Sequence, residues 1–207
     1  MTTTARRRAY YRLFGADGYL AHATRGARVL DVGCSDGRGS EVLSGVGAAG
    51  VDIYRPNLAL ARDTDRRTTV VQADVRALPY RDGAFDVVVA LDVVEHFTKP
   101  DALALITELE RVAADRVVLA TPRGFLPQPG TADEPWQEHR CGFEVDELRS
   151  LGYAVHGIGG PARLRGPYGV FVGGVLGQVA TAACTPVIRR VPSRAFALLA
   201  VKRVTPS

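Results

Sequence analysis

The stretch "VLDVGCSDGRGSEVL", Val29 to Leu43, contains the features that decide the fold of this chain. Its apolar start predicts a buried strand, followed by a turn and a helix expected from about Gly37 to Val46. Gly33 and Gly37 allow the backbone to approach a ligand without a Cβ in the way. Because ligands of open α/β sheets lie outside the carboxyl ends of strands, this turn is a candidate binding site. A tight strand–helix turn without a ligand is the alternative.

Strand-like and helix-like segments alternate after this stretch. The strands are predicted at "AAGVDI", "TTVVQAD", "FDVVVALDVV" and "DRVVLATP", and the helices between them at "RPNLALARDTD" and "PDALALITELERVA". This alternation predicts a parallel, Rossmann-like doubly wound α/β sheet. A helix ("VDELRSLG"), a sixth strand ("YAVHGIG") and a closing strand ("FALLAVKRV") follow.

The glycine turn does not have the composition of a phosphate-binding loop. The dinucleotide fingerprint would require glycine at position 35, which is Ser35, and no Gly-Lys-Ser/Thr follows. Asp31 and Asp36 flank the turn, and both carboxylates would repel a phosphate. Carboxylates instead suit a ligand that carries an ammonium group and hydroxyls.

Two further acids end the next two predicted strands. Asp52 follows the second strand, where a carboxylate can accept two hydrogen bonds from a ribose diol. Asp74 follows the third strand and would accept from the exocyclic amine of adenine, with Val75 packed on the ring. Each acid alone could equally be a helix cap or a solvated loop residue. Acids at three successive strand ends favour a nucleoside ligand.

These motifs resemble those of class I S-adenosylmethionine-dependent methyltransferases of the type 11-like, small-molecule kind. The resemblance runs from about residue 28 to 122 and rests on "LDVGCSDG", "GVDI", "QADVRALPYRDGAFDVVVALDVVEH" and a final "TP". It implies a seven-stranded sheet in the order 3-2-1-4-5-7-6, with strand 7 antiparallel. It also implies S-adenosyl-L-methionine as cofactor and S-adenosyl-L-homocysteine as product.

The resemblance assigns cofactor-binding roles along the carboxyl ends of the strands. The turn would lie along the methionine part, Asp52 would take the ribose hydroxyls beside Ile53, and Asp74 and Val75 would take the adenine. Leu91 and Asp92 would lie near the sulfonium. The complete set of expected cofactor-binding residues is Asp31, Gly33, Cys34, Ser35, Gly37, Asp52, Ile53, Asp74, Val75, Leu91 and Asp92.

The second half is similar to small bacterial methyltransferases that often accompany glycan or cell-envelope genes. That similarity rests on "WQEHRCGFEVDELRSLGYAVHGIGG" and "RVPSRAFALLAVKRV". The group shows a Gln-x-His-x-Ser-x-Trp-like pattern where this chain has Gln137, His139, Cys141 and Phe143. We expect one methyltransferase domain over 1–207, with a cofactor core at about 25–122 and an acceptor-side loop and insert at about 123–193.

Histidine is the usual base when an alcohol or phenol is methylated at neutral pH. His96 follows the fourth strand, close to the expected methyl group, and His139 lies in a long loop after the fifth strand. Both are candidate catalytic residues, and hydrogen-bonded structural histidines are the alternative. Glu95, Glu138 and Trp136 are candidate pocket residues. The loop has few apolar anchors, so we expect it to close when an acceptor binds.

The uncharged segment Tyr168–Ile188 is open to three interpretations. The favoured one is a buried helix before the last strand, and one form of this interpretation places the helix at a homodimer interface. An apolar face that meets a lipid-linked acceptor or a membrane surface is the second. A membrane span is disfavoured by its glycines, Gln178 and Pro186.

Composition favours a small-molecule or lipid-linked acceptor over nucleic acid. The net charge is only +4, and the arginines form no stripe. Three cysteines without paired spacing, and no apolar run after the basic N-terminus, fit a cytoplasmic protein, with peripheral membrane contact as an option. No cluster of acids and histidines stands out at ligand spacing, so we expect no metal.

The sequence therefore predicts a methyltransferase, with O-methylation of a small-molecule, glycan or lipid-linked acceptor. The alternatives are a non-catalytic partner or regulatory module with the same fold, and an RNA methyltransferase. The sequence does not name the acceptor.

Overall fold

The computed structural model describes residues 16–37, 43, 48–64, 69–132, 134–166, 172 and 174–205. Its strands form one seven-stranded sheet in the order β3-β2-β1-β4-β5-β7-β6. The first five strands pair in parallel, and β7 runs antiparallel between β5 and β6. The strands are β1 (Val29–Val32), β2 (Ala49–Asp52), β3 (Thr69–Gln72), β4 (Phe85–Leu91), β5 (Ala113–Pro122), β6 (Ala154–Pro161) and β7 (Ala195–Arg203). The predicted fold and strand order are confirmed.

Five helices in the described ranges accompany the sheet. They are α1 (Ala16–Ala23), α2 (Arg55–Thr64), α3 (Lys99–Val112), α4 (Val145–Ser150) and α5 (Gly174–Arg190). Helix α1 was not expected from the sequence. The helix expected at 37–46 lies outside the described residues apart from Gly37, which is in a bend, and Leu43, which is helical and buried.

The central strands are buried on both faces, as their continuous apolar runs predict. Along β4, Val88 and Ala90 join the core beneath α3, whereas Val87 and Val89 join a second core that includes Leu20 of α1. Successive side chains of a strand point to opposite faces, so one short strand contributes to both cores. Packing on both faces thereby holds the carboxyl ends of the central strands β1 and β4 in place.

Helix α3 begins and ends where local chemistry predicts. Thr98 caps it by accepting a hydrogen bond from the backbone N–H of Asp101, and a proline occupies the first turn. Its buried stripe includes Ala102, Ile106 and Leu109. Ala113, expected on the same stripe, is buried but is the first residue of β5.

The uncharged segment forms helix α5 in its described part; residues 168–171 and 173 lie outside the described residues. The helix packs on β6, where Thr181 touches the backbone of Gly160 so closely that a Cβ there would clash. Its other side leaves three apolar side chains exposed: Leu176, Val179 and Val187. No helix within the described residues is long and apolar enough to cross a membrane.

Candidate functional site

The glycine turn after β1 is tied to the neighbouring strand by its backbone. The N–H groups of Gly33 and Cys34 both donate to the carbonyl oxygen of Val51, at 2.8 and 3.1 Å. Gly33 has φ 71°, Ser35 has φ 50° and Gly37 has φ 78°, so the turn uses the left-handed region three times. Asp31, at the end of β1, is buried with 2% exposure. The turn is therefore a rigid feature at the carboxyl edge of the sheet.

The turn also abuts the segment that follows β4. A Cβ added to Gly33 would lie 2.5 Å from Cγ2 of Val93, so only glycine fits at this position. Asp92 is held in the left-handed region with φ 54°, and its N–H donates to the carbonyl of Ala120. Because β1 and β4 lie side by side where the strand order reverses, this is the switch-point crevice in which α/β sheets bind ligands.

Asp52 joins the turn to the start of α2. Its two carboxylate oxygens accept hydrogen bonds from the backbone N–H groups of Ser35 and Tyr54, each at 2.8 Å. The side-chain amide of Asn57 donates to the Ser35 hydroxyl at 3.0 Å. Each carboxylate oxygen keeps a second lone pair for a ligand, so the predicted contact with ribose hydroxyls stays open to it. Tyr54 and Asn57 were not singled out in the sequence.

The residues expected around adenine lie just after the ends of β2 and β3, and one of them makes a contact that was not predicted. Ile53 is 53% exposed at the end of β2, whereas Val75 is buried. Asp74 accepts hydrogen bonds from the backbone N–H and the guanidinium of Arg76. The Arg76 guanidinium holds the pKa of the Asp74 carboxyl below its usual value. Asp74 is therefore ionised at neutral pH, and a ligand amine would share it with Arg76.

The Cys34 side chain turns away from the exposed side of the turn. It is buried with Leu58, Ala61 and Val70 in a small cluster between α2 and β3. A ligand along the turn would therefore meet the backbone of Cys34, whose sulfur is part of the core.

A polar cluster formed by Glu95, His96 and His139 lies after the carboxyl ends of β4 and β5. Each residue offers one potential ligand atom, and the three atoms lie within 4.8 Å of one another. The centroids of the two imidazole rings are 5.0 Å apart in an edge-to-face arrangement. Glu95 is 1% exposed and His139 8%. The Thr121 hydroxyl, near the end of β5, donates to Oε2 of Glu95 at 3.1 Å. We call these three residues the Glu-His-His cluster.

Both histidine rings are oriented by backbone carbonyls through the same nitrogen. Nδ1 of His139 lies 2.7 Å from the carbonyl oxygen of Leu126, and Nδ1 of His96 lies 3.2 Å from that of Glu138. A carbonyl only accepts, so each Nδ1 carries the proton in these hydrogen bonds. In the neutral tautomer that these hydrogen bonds favour, Nε2 of each ring is the nitrogen that can act as an acceptor or a metal ligand.

Backbone pairing, not side-chain packing, brings His139 to this place. The N–H groups of Arg140 and Cys141 both donate to the carbonyl of Glu95, and the N–H of His139 donates to the carbonyl of Gln128. The Cys141 thiol donates to the carbonyl of Val94, and burial raises the pKa of that thiol. The loop after β5 is thereby held at its base, and its closure on an acceptor stays a prediction.

The loop also crosses the carboxyl edge of the sheet. The ring of Trp136 packs on Tyr54 with centroids 4.5 Å apart, directly after the Asp52–Ile53 pair. The predicted pocket residue Trp136 thus lies beside the end of β2, whereas His139 of the same loop lies near the end of β4. The loop spans both halves of the candidate site.

The absence of a metal was expected because no ligand spacing stands out in the sequence. The basis of that expectation does not hold, since folding places His139 beside the adjacent pair Glu95 and His96. Thr121 and the two orienting carbonyls were also missed, and no sequence signal would have identified them.

Comparisons with known proteins bear on this site. Residues 30–120 match a family model described as a methyltransferase domain. The chain is 30% identical over 174 residues to the ubiquinone biosynthesis O-methyltransferase of Azorhizobium caulinodans, covering 68% of each chain. It is 34% identical over 136 residues to the "Probable tRNA methyltransferase 9B" of Bos taurus, covering 62% of this chain and 30% of that protein.

The structural comparison agrees with the sequence comparisons. A SAM-dependent methyltransferase from Archaeoglobus fulgidus aligns with a TM-score of 0.61 at 16% identity, covering 97% of this chain and 94% of that one. This likeness shows the fold. The chain spans less than half the length of several curated relatives that it matches. With the family match and the Azorhizobium relative, we conclude that the chain belongs to the class I S-adenosylmethionine-dependent methyltransferases, enzymes whose cofactor and methyl donor is S-adenosyl-L-methionine.

Proposed function

We propose that this protein transfers the methyl group of S-adenosyl-L-methionine to a hydroxyl oxygen of a small-molecule, glycan or lipid-linked acceptor. The observation that carries the proposal is the Glu-His-His cluster at the carboxyl ends of β4 and β5, beside the switch-point crevice. Two imidazoles with oriented Nε2 atoms suit an acceptor that must lose a proton. A sulfur or amine nucleophile would have less need of them.

The proposed reaction is an in-line displacement. The acceptor oxygen forms a bond to the methyl carbon while the carbon–sulfur bond breaks, and sulfur keeps the electron pair as the thioether of S-adenosyl-L-homocysteine. The hydroxyl proton leaves towards the Glu-His-His cluster and then to water. The donor methyl is already activated, so alignment of the two reactants supplies most of the rate enhancement.

The choice of a small or lipid-linked acceptor rests on two surface features. Arg76, which is exposed near the site, pairs with Asp74, and this pairing weakens the basic surface available to nucleic acid there. The exposed apolar side chains Leu176, Val179 and Val187 of α5 suit a greasy acceptor, a membrane surface or a second copy of the chain. RNA is the second candidate acceptor, because tRNA methyltransferases by name are among the relatives.

The test has two stages. Calorimetry with S-adenosyl-L-homocysteine first asks whether the cofactor site is intact, and absence of binding at millimolar ligand would favour a non-catalytic module. A panel of phenols, sugars and polyprenyl-linked sugars is then assayed for release of S-adenosyl-L-homocysteine.

Single variants identify what the histidines do. If one histidine is the sole base, its replacement by alanine should lower turnover about a hundredfold or more, while the other replacement has little effect. Cofactor affinity should change little in either variant. If neither His96→Ala nor His139→Ala slows turnover, the acceptor needs no protein base, and the oxygen proposal fails.

A further inference from the structure

We propose that the Glu-His-His cluster is a binding site for one divalent transition-metal ion. The three candidate ligand atoms already lie within 4.8 Å of one another. Ligands held about 2.1 Å from an ion lie roughly 3–3.5 Å apart, so small side-chain rotations would complete the set. The role of the ion rests on the proposed function, whereas its binding does not.

The orientation of both rings favours ligation over an ordinary hydrogen-bond network. Imidazoles that bind metals almost always donate their other N–H to a carbonyl or carboxylate, which fixes the tautomer and the ring plane. Here Nδ1 of His139 and Nδ1 of His96 both face backbone carbonyls, those of Leu126 and Glu138. Two independent loop carbonyls thus orient both rings through Nδ1, so Nε2 is the atom that would bind the ion in each ring.

The carboxylate partner is held in a comparable way. Glu95 is almost fully buried, and the Thr121 hydroxyl donates to its Oε2 atom. The Glu95 carboxylate would offset part of the positive charge of an ion in the cluster. The hydrogen bond from Thr121 already orients this carboxylate.

The ligand types select the class of ion. Two imidazole nitrogens and one carboxylate oxygen suit Zn²⁺, Fe²⁺ or Mn²⁺, and catalytic zinc sites use two histidines and a glutamate with an open position. Mg²⁺ prefers oxygen ligands and keeps its waters, so it should bind here far more weakly. The open positions would be available to the acceptor oxygen.

The place of the cluster gives the ion a use. Val93, two residues before Glu95, packs against Gly33 of the turn expected to hold the methionine part of the cofactor. An ion bound to the acceptor hydroxyl would lower the pKa of that hydroxyl. With the ion present, the histidines would act as its ligands, and water in place of a histidine would take the proton. The resulting oxygen would then attack the methyl carbon as written above.

The test measures metal binding without cofactor or turnover. Tag-free protein is stripped with EDTA, and Zn²⁺, Mn²⁺ and Mg²⁺ are titrated separately by calorimetry. A Cys184→Ser background removes the partly exposed thiol that would bind zinc adventitiously. In the separate titrations, we expect each chain to bind one Zn²⁺ ion or one Mn²⁺ ion, and to bind Mg²⁺ with much lower affinity. No stoichiometric binding of Zn²⁺ or Mn²⁺ would overturn the proposal.

Three variants locate the site. His96→Gln removes a half-exposed ligand and should lower the affinity about a hundredfold or more, and Glu95→Gln should do the same at nearly unchanged volume. His22→Gln, on the exposed side of α1, is the matched control and should bind like the parent. Binding that survives both ligand variants would overturn the proposal.

A spectroscopic readout and a second titration complete the experiment. Co²⁺ in the parent protein should give visible absorption typical of nitrogen and oxygen ligands, and His96→Gln should lose it; its persistence there would overturn the proposal. S-adenosyl-L-homocysteine is titrated into the same stripped protein. Binding of the nucleoside without binding of a metal would overturn the metal site alone and leave the proposed function standing.

Discussion

Asp52 is positioned by the fold through both of its carboxylate oxygens, which accept from the backbone N–H groups of Ser35 and Tyr54. The side chain therefore links the glycine turn after β1 to the first turn of α2. A ribose diol would use the remaining lone pairs of the same oxygens. One residue thus serves both the shape of the crevice and the ligand expected in it.

Replacing Asp52 by alanine should weaken cofactor binding about tenfold or more. A hydrogen bond to a charged group contributes roughly 1.5–3 kcal/mol, and at least one such bond to the ribose would be lost. Calorimetry with S-adenosyl-L-homocysteine measures the change, with circular dichroism to verify the fold. Asp146→Ala, at an exposed site on α4, is the control. Unchanged affinity in folded Asp52→Ala protein would mean that the ribose lies elsewhere.

Thr121 is a positioning residue for the Glu-His-His cluster. Thr121→Val keeps the shape of this buried side chain but removes the hydroxyl that donates to Glu95. We expect the affinity for Zn²⁺ to fall about ten- to a hundredfold, with a loss of roughly 1–3 kcal/mol in the free energy of unfolding. Titration calorimetry and urea unfolding measure the two effects. A loss of stability with unchanged zinc affinity would assign Thr121 a structural role only.

At the scale of elements, helix α5 is seated on β6 through a glycine. Gly160 has φ 77°, and a Cβ there would meet the side chain of Thr181. Gly26 also has a positive φ, 69°, but a Cβ added there would meet no other atom. Substitution of Gly26 by alanine therefore measures the cost of backbone strain alone. The two positions form a matched pair.

Gly160→Ala should therefore destabilise the protein more than Gly26→Ala. The difference should be about 1–3 kcal/mol in the free energy of unfolding, the usual cost of overpacking. Urea unfolding of both variants measures it. Equal costs would show that α5 moves freely away from β6 to accommodate the methyl group.

Glu108 of α3 is hydrogen-bonded to the segment that connects β3 and β4. Its carboxylate accepts from the Arg111 guanidinium and from the backbone N–H of Leu78, and the hydrogen bond from Arg111 is the main cause that lowers its pKa. A lowered folded-state pKa stabilises the protein above the unfolded-state pKa, and this contribution is lost as the pH falls through the folded value.

Glu108→Gln should cost about 1–2 kcal/mol in the free energy of unfolding at neutral pH. The difference in unfolding free energy between this variant and the parent protein should become smaller as the pH falls through the ordinary glutamate range towards the lowered pKa. Unfolding of both proteins at several pH values measures this, with Asp146→Asn as the exposed control. A gap that does not change with pH would mean that the ionised carboxylate contributes nothing.

The elements that sequence predicted best are those with strong local patterns. Apolar runs located β4 and β5. The acids Asp31, Asp52 and Asp74 lie in or just after β1, β2 and β3, and their roles towards a ligand stay predictions. The Glu-His-His cluster was not predicted, because backbone hydrogen bonds of Arg140 and Cys141 to the Glu95 carbonyl help to bring His139 to it. Such bonds carry no side-chain signature. Helix α1 lacked a strong amphipathic pattern and was missed for a related reason.

At the scale of the whole molecule, the arrangement of charge bears on the choice between the two proposed acceptor classes. The net charge is +4, but many described arginines lie in ion pairs that cancel their field. These pairs include Arg28–Asp86, Arg76–Asp74, Arg111–Glu108, Arg116–Asp115, Arg123–Glu144 and Arg149–Asp146. Affinity for nucleic acid grows with the number of phosphates neutralised by basic side chains. Within the described residues, these pairs lower the number of basic side chains that could neutralise phosphates.

Binding of tRNA should therefore be weak and should depend little on salt. Fluorescence anisotropy from about 50 to 200 mM salt should give a log–log slope of roughly −2 or shallower, because few counterions are released. Arg190, at the end of α5, forms no ion pair with another described residue, so Arg190→Gln should remove part of any residual binding. Arg149→Gln, whose charge is paired with Asp146, should remove less. Tight binding that falls a thousandfold over the same salt range would instead make RNA the acceptor.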